Sequence, residues 1–282
     1  MPHTRVHVVR RVLHTLVAGA VCVGLTMGAG PGDAHAQPAL IIRTTDNKFA
    51  APAAVRAGFT TIEIVNDGAD LHHAQMARLN PGVTTAQALG ALRKGLGAFV
   101  PLVTFVGGPG LVTPRGRERI SLTLLPGDYL LLCFVETNGV PHVASGMVKP
   151  LRVTGAVEAQ PIEAAGGEIT LHDFRIAFPR GFDGRSTYRV VNQGEQPHEA
   201  IFLKLAPGKT AEDVRAFFAQ PHPAGQPPAV PMGGVQGLSR GGINYYRPNL
   251  PAGDYAVVCF IPDLTSGKPH IALGMINAVT MR

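Results

Sequence analysis

Residues 126–134 read PGDYLLLCF, and residues 251–260 read PAGDYAVVCF. Both stretches begin with a Pro/Gly turn, continue through Asp-Tyr into an apolar run, and end in Cys-Phe. A turn followed by an apolar run of this length predicts a buried β-strand. Because the stretch occurs twice, the chain is predicted to contain an internal repeat.

The repeat extends on both sides of these strands. With a shift of 126 residues, residues 66–72 align with residues 192–198, and both segments end in histidine. Beyond the two cysteines an insertion of two residues changes the shift, so that Pro-His at 141–142 aligns with Pro-His at 269–270. The alignment predicts two copies of one domain.

Domain boundaries follow from the repeat and from the first 36 residues. Residues 1–36 combine an arginine-containing start, an apolar stretch and Ala-His-Ala before residue 37, as in a secretory signal peptide. We therefore predict a signal peptide at 1–36 and domains at 37–155 and 156–282. This interpretation predicts a periplasmic or secreted protein of the bacterial type, with no membrane span after signal cleavage.

The fold class is predicted to be all-β. Short β-branched runs at 60–65 and 188–191 end in Asn-x-Gly turns. One short helix is expected before the cysteine strand of each copy, at 85–93 and after a capping box of Thr210 with Asp213. Short strands separated by turns predict a Greek-key β-sandwich in each half. Tyr129 and Tyr255 are expected to form tyrosine corners.

Metal-ligand residue types recur in the same order in both copies. Each copy has a histidine, a long gap, a cysteine, a second histidine and then a methionine five positions on. A thiolate and two imidazoles with a weak axial thioether form a type 1 (blue) copper site, which can hold both Cu(I) and Cu(II). The predicted ligands are His72, Cys133, His142 and Met147 in the first copy and His198, Cys259, His270 and Met275 in the second.

These motifs resemble the cupredoxins, the family of plastocyanin and azurin, over nearly all of residues 40–282. Pro-His198 resembles the Pro-His of plastocyanins, and the PAGDY strand resembles the one that leads to their copper cysteine. The loops between Cys and the second His hold eight and ten residues, which is longer than in plastocyanin. In length, and in the sequence around Pro-His142 and Ser-Gly-Met147, they are similar to the type 1 copper domain of nitrite reductases.

Other interpretations of these residues remain open at this point. Two cysteines in an exported protein also fit a disulfide between Cys133 and Cys259. His73 competes with His72 as a ligand, although the second copy has Glu199 at that position. His172 and His222 have no equivalent in the other copy and are expected at the surface.

An exported one-electron carrier with copper as cofactor is the favoured function. Copper storage or delivery and a metal-free interaction module are the alternatives. The expected partner is a redox protein, such as a c-type cytochrome or an oxidoreductase.

The formal net charge of +6 is not gathered into a basic run, which argues against nucleic-acid binding. No His-x-His pair follows residue 36 and no His flanks either cysteine, so the chain is predicted not to be an oxidase or nitrite reductase.

Overall fold

A computed structural model describes residues 38–157, 164–220, 223 and 225–282. The first repeat, as defined by the sequence, contributes eleven strands to the described residues. They are β1 (Leu40–Thr45), β2 (Lys48–Ala50), β3 (Ala54–Arg56), β4 (Gly58–Asn66), β5 (Gln75–Leu79), β6 (Val103–Gly107), β7 (Arg117–Leu124), β8 (Gly127–Leu132), β9 (Glu136–Thr137), β10 (Val140–Pro141) and β11 (Val148–Thr154).

The second repeat contributes the remaining strands of the described ranges. They are β12 (Glu168–His172), β13 (Arg175–Ala177), β14 (Tyr188–Asn192), β15 (His198–Leu205), β16 (Ala229–Leu238), β17 (Ile243–Tyr246), β18 (Gly253–Val258) and β19 (Ile276–Met281). Five short helical segments complete the described elements: α1 (Thr85–Leu92), α2 (Leu96–Phe99), α3 (Ala211–Phe218) and two 3₁₀ turns at Val100–Leu102 and His270–Leu273.

Two large sheets form the described part of the molecule, and strands of both repeats run through each of them. One sheet has the order β13-β12-β14-β17-β7-β4-β1-β2, and the other has the order β19-β18-β15-β16-β6-β5-β8-β11-β3. The repeats meet where β17 pairs with β7 and where β16 pairs with β6, both antiparallel. A central core between the sheets contains residues of both repeats.

The two cysteine strands, β8 and β18, begin with Gly-Asp and are buried and apolar over their last four residues, where both of their faces are covered. Tyr129 and Leu131 point into the central core, whereas Leu130 and Leu132 belong to a second core that includes Ala88 of α1. The second repeat follows the same plan, with a separate outer core beneath α3. A strand buried on both faces shows a continuous apolar run rather than alternation, as the sequence has here.

Paired glycines let the repeats approach closely. A Cβ on Gly107 would lie 1.9 Å from Asn244 Oδ1, and a Cβ on Gly233 would lie 2.2 Å from Glu118 Oε2. Asn244 and Glu118 occupy equivalent positions, so each repeat places one polar side chain over the glycine of the other. The junction therefore has approximate two-fold character.

Both predicted helices are present, and each begins at a capping box. Thr210 caps α3 together with Asp213, and Thr84 caps α1 together with Gln87. The all-β class with one capped helix before each cysteine strand is confirmed. The domain division at 155/156 stays a prediction, and the predicted signal peptide at 1–36 lies outside the described residues.

Candidate metal centres

The first cluster consists of His72, Cys133 and His142. Cys133 Sγ lies 3.6 Å from His142 Nδ1 and 3.9 Å from His72 Nδ1, and all three side chains are buried. The cysteine follows the last residue of β8, and His142 follows β10. Residues separated by up to 70 positions thus present one sulfur and two nitrogens to a common point.

The second cluster consists of His198, Cys259 and His270, at the equivalent positions. Cys259 Sγ lies 3.4 Å from His270 Nδ1, and the Nδ1 atoms of His198 and His270 are 3.1 Å apart. The imidazole pairs of the two clusters have nearly the same arrangement, with ring centroids 4.9 and 4.8 Å apart and planes inclined at 52° and 50°. The repeat therefore reproduces the geometry of the rings as well as the residue types.

Backbone hydrogen bonds hold the loop that carries the last two predicted ligands of each repeat. The N–H of Met147 donates to the carbonyl of His142 at 2.9 Å, and the N–H of Met275 donates to that of His270 at the same distance. The residue after each second histidine donates to the cysteine carbonyl, at 2.8 Å and 2.9 Å. Both methionines are fully buried. The two extra residues of the second repeat therefore lie between the cysteine and the second histidine, and the turn from that histidine to the methionine has the same hydrogen bonds in both repeats.

Burial disfavours the charged forms of both cysteines and of His270 in the metal-free protein. It raises the pKa of the Cys133 thiol to about 11, and burial together with Glu199 raises the pKa of Cys259 well above its usual value. Burial, with a smaller effect of His198, lowers the pKa of His270 to about 4. The neutral imidazole of His270 can therefore bind a cation directly, whereas each thiol must release its proton to do so.

The separations fit one first-row metal ion in each cluster. An ion about 2.0–2.1 Å from imidazole nitrogens and about 2.3 Å from sulfur places its ligand atoms roughly 3.3–3.8 Å apart. Four of the six distances between donor atoms lie between 3.1 and 3.9 Å, and all donor atoms of a cluster lie within 4.8 Å of one another. Soft sulfur with two imidazoles is the donor set that suits copper. The assignment of all eight predicted ligands, including both methionines, stays a prediction.

Carboxylates orient the first histidine of each cluster, and sequence reasoning missed them. Asp46 Oδ1 lies 3.4 Å from His72 Nε2, and Asp173 Oδ1 lies 2.8 Å from His198 Nε2. A carboxylate on the second nitrogen fixes the tautomer of a metal-binding histidine. Asp46 aligns with Asp173 only with a shift of 127 residues, one more than the shift of 126 that aligns the first histidines and the cysteines. For this reason the alignment of the repeats did not reveal the aspartates.

His73 lies outside the first cluster. Its Nε2 accepts a hydrogen bond from the N–H of Phe134 at 2.9 Å, and burial lowers its pKa to about 3. Glu199 has the same role in the second repeat, where its Oε1 accepts from the N–H of Phe260 at 2.7 Å. Both side chains thus fix the backbone beyond the cysteine, and the structure places His72 in the cluster.

The remaining sequence predictions have mixed outcomes. Both cysteines are free thiols in separate clusters, so they do not form the alternative disulfide. The hydroxyls of Tyr129 and Tyr255 donate to carbonyls four residues upstream at 2.7 Å, which confirms the tyrosine corners. His172 is half-buried at the end of β12, and His222 lies outside the described residues. No helix in the described ranges is both long and apolar enough to cross a membrane.

Comparison with known proteins adds solved structures only, since no family model and no curated protein matches the chain. Reduced auracyanin from Roseiflexus castenholzii is 20% identical over 41% of this chain and 95% of its own, with a TM-score of 0.28. Auracyanin A, a "blue" copper protein from Chloroflexus aurantiacus, is 18% identical over 42% of this chain and 98% of its own, with a TM-score of 0.29. The described residues themselves show an all-β fold built on two large sheets.

Oxidases also align with this chain. The blue copper oxidase from Nitrosomonas europaea is 13% identical over 86% of this chain and 85% of its own, with a TM-score of 0.25. This coverage contradicts the prediction that the chain is not an enzyme. That prediction rested on a missing local motif, but the clusters here show that residues far apart in sequence can assemble a metal centre.

Proposed function

We propose that this protein binds copper at both clusters and carries single electrons. The observation that supports the proposal is the duplicated set of one buried thiol and two imidazole Nδ1 atoms, all within 4.8 Å of one another. Copper bound to such a set supplies a one-electron couple between Cu(I) and Cu(II). The type 1 character of both sites, with Met147 and Met275 as axial ligands, is part of the proposal.

The surrounding residues suit a site that must not change shape. All six cluster side chains are at most 3% exposed, so water is excluded from the donor atoms. The first histidine of each cluster is held by an aspartate, and each cysteine and second histidine are joined through the backbone bonds of one loop. Rigid ligands suit a couple whose two oxidation states share one cage. They suit rapid release less well, which favours a carrier over copper storage or delivery.

Export to the periplasm or the exterior, and a redox partner such as a c-type cytochrome or another oxidoreductase, belong to the same proposal. Predicted export rests on residues 1–36, and the partner follows from the one-electron chemistry that copper supplies. A carrier of this kind needs one partner that donates a single electron and one that accepts it.

The test is Cu(II) addition to the full mature chain, followed by metal analysis and an absorption spectrum. A copper–thiolate bond gives an intense visible charge-transfer band, and Zn²⁺ gives none, so a zinc-loaded sample is the control. We expect two coppers per chain, an intense band, and bleaching on reduction that reverses on reoxidation. A colourless protein with copper in excess would refute the proposal. Dioxygen uptake with an added electron donor is measured on the same sample, and sustained turnover would identify an oxidase instead.

A further inference from the structure

Two equivalent hairpin turns lie beside the two clusters. Thr45 pairs with Lys48 in the β1–β2 hairpin, and His172 pairs with Arg175 in the β12–β13 hairpin. Each register leaves two residues in the turn, and the first of them is the aspartate that contacts a cluster histidine. The second residue differs, since the β1–β2 turn has Asn47 and the β12–β13 turn has Phe174.

Phe174 has a backbone conformation that disfavours it. Its φ is 63°, the same value as that of Asn47. Asparagine is several-fold enriched at positive φ, whereas a bulky residue there is an outlier. Strained residues of this kind cluster at functional sites, where the surrounding structure holds them. The phenyl ring must therefore be retained for a reason other than the turn itself.

The contact made by Phe174 indicates that reason. Its ring meets the imidazole of His270 edge-on, with centroids 5.1 Å apart and planes inclined at 71°. Phe174 is half-buried, whereas Asn47 is exposed. The strained side chain is thus the one that reaches its cluster.

His270 also lacks the hydrogen bond that orients its counterpart. In the first cluster, His142 Nε2 lies 3.0 Å from Thr137 Oγ1. In the second cluster, His270 Nε2 is buried and has no hydrogen-bond partner. The residue equivalent to Thr137 is Asp263, and its Oδ1 accepts from Gln196 instead. Packing must therefore set the orientation of the His270 ring.

We propose that the Asp173-Phe174 turn is the positioning element of the second metal cluster. Asp173 orients His198 through a hydrogen bond, and Phe174 orients His270 through ring packing. One two-residue turn thus sets both imidazoles, while the first cluster divides this task between Asp46 and Thr137. This inference rests on the proposed copper function.

The test uses the full chain with Cys133→Ser, so that only the second cluster supplies a thiolate-to-copper band. Phe174→Asn places the residue of the first repeat in the turn and suits the positive φ. We expect Cu(II) affinity weakened about tenfold or more and an altered copper hyperfine splitting in the EPR spectrum. Tm is measured as well, because the ring also packs against the central core. Phe174→Gly removes the ring without backbone strain and should reproduce the loss. Phe174→Tyr keeps the ring and should retain the parental affinity and spectrum.

The outcomes separate the two proposals. If the Cys133→Ser parent shows no thiolate band at all, the copper function itself fails. If the parent shows the band, but Phe174→Asn and Phe174→Gly leave both affinity and EPR spectrum unchanged, the positioning role is refuted. A change in Tm alone would also refute it, because a merely structural phenylalanine would affect folding without affecting the bound copper.

Discussion

The two clusters share their ligand types and ring geometry, but their surroundings differ at the second histidine. His142 Nε2 is near Thr137 Oγ1, and that hydroxyl also donates to Asp70 at 3.0 Å. The equivalent pair in the second repeat is Asp263 and Gln196, which bond to each other and leave His270 Nε2 without a partner. The two clusters thus agree more closely in their thiol and imidazole groups than in the side chains behind them. For the proposed copper binding, we therefore expect two unequal sites.

The largest expected effect comes from removing the thiolates one at a time. Cys133→Ser should abolish the charge-transfer band of the first site only, and Cys259→Ser that of the second only, because each cluster has one sulfur. Absorption spectra of the copper-loaded variants measure this, and the double variant should be colourless. A band that survives in the double variant would mean that neither cysteine binds copper.

The next largest effect is expected from removing the carboxylate that contacts the first histidine of each cluster. Asp173→Asn should weaken copper binding in the second cluster by about 10–100-fold, as is typical for loss of an outer partner. Asp46→Asn should weaken copper binding in the first cluster by a smaller factor, because the contact of Asp46 with His72 is longer, 3.4 Å against 2.8 Å for Asp173 with His198. Chelator competition in single-cluster backgrounds gives both values. Equal losses of copper affinity would show that the difference between the two contact distances does not affect copper binding.

A smaller effect is expected from Thr137→Val, which keeps the shape of the side chain and removes its hydroxyl. His142 would then lose the hydrogen-bond partner of its Nε2 and keep only the longer contact with Asp70 Oδ2 at 3.7 Å, whereas His270 Nε2 has no hydrogen-bond partner. Because a net hydrogen bond is worth about 1 kcal/mol, copper affinity of the first cluster should fall several-fold. If the copper affinity measured by chelator competition is unchanged, the Thr137 hydroxyl does not contribute to copper binding in the first cluster.

The last prediction concerns the repeat junction, where the stability of the fold, and not copper binding, should depend on pH. Burial raises the pKa of Glu118 to about 8, whereas the equivalent Asn244 does not titrate. The folded state then holds a proton that the unfolded state releases above pH 4.5, so this group lowers stability as pH rises from about 4.5 to 8. The slope is at most about 1.4 kcal/mol per pH unit.

Thermal unfolding of the metal-free protein across this pH range measures that slope, and Glu118→Gln is the control. The variant should lack this part of the pH dependence, because a glutamine side chain, like that of Asn244, does not titrate. Parallel pH profiles for the two proteins would contradict the assignment of the proton to Glu118.

Sequence reasoning was strongest where the evidence was local or repeated. The capping box at Thr210, the doubly buried cysteine strands and the recurrent ligand types all follow from short patterns. The pairing of β7 with β17 does not, because the side-chain pattern of a strand specifies its buried face but not the strand beside it. Thr137 and Phe174 were missed for another reason. Their partners are set by loop conformation, and nothing in a threonine or a phenylalanine marks it as a neighbour of a ligand.

A redox titration of the copper-loaded full chain, followed at the thiolate-to-copper band, tests the central claim most directly. The account predicts two reversible one-electron steps at different potentials, one of which disappears in Cys133→Ser and the other in Cys259→Ser. A single step assigned to one cysteine, or two steps that both survive either substitution, would contradict the account of two unequal copper sites.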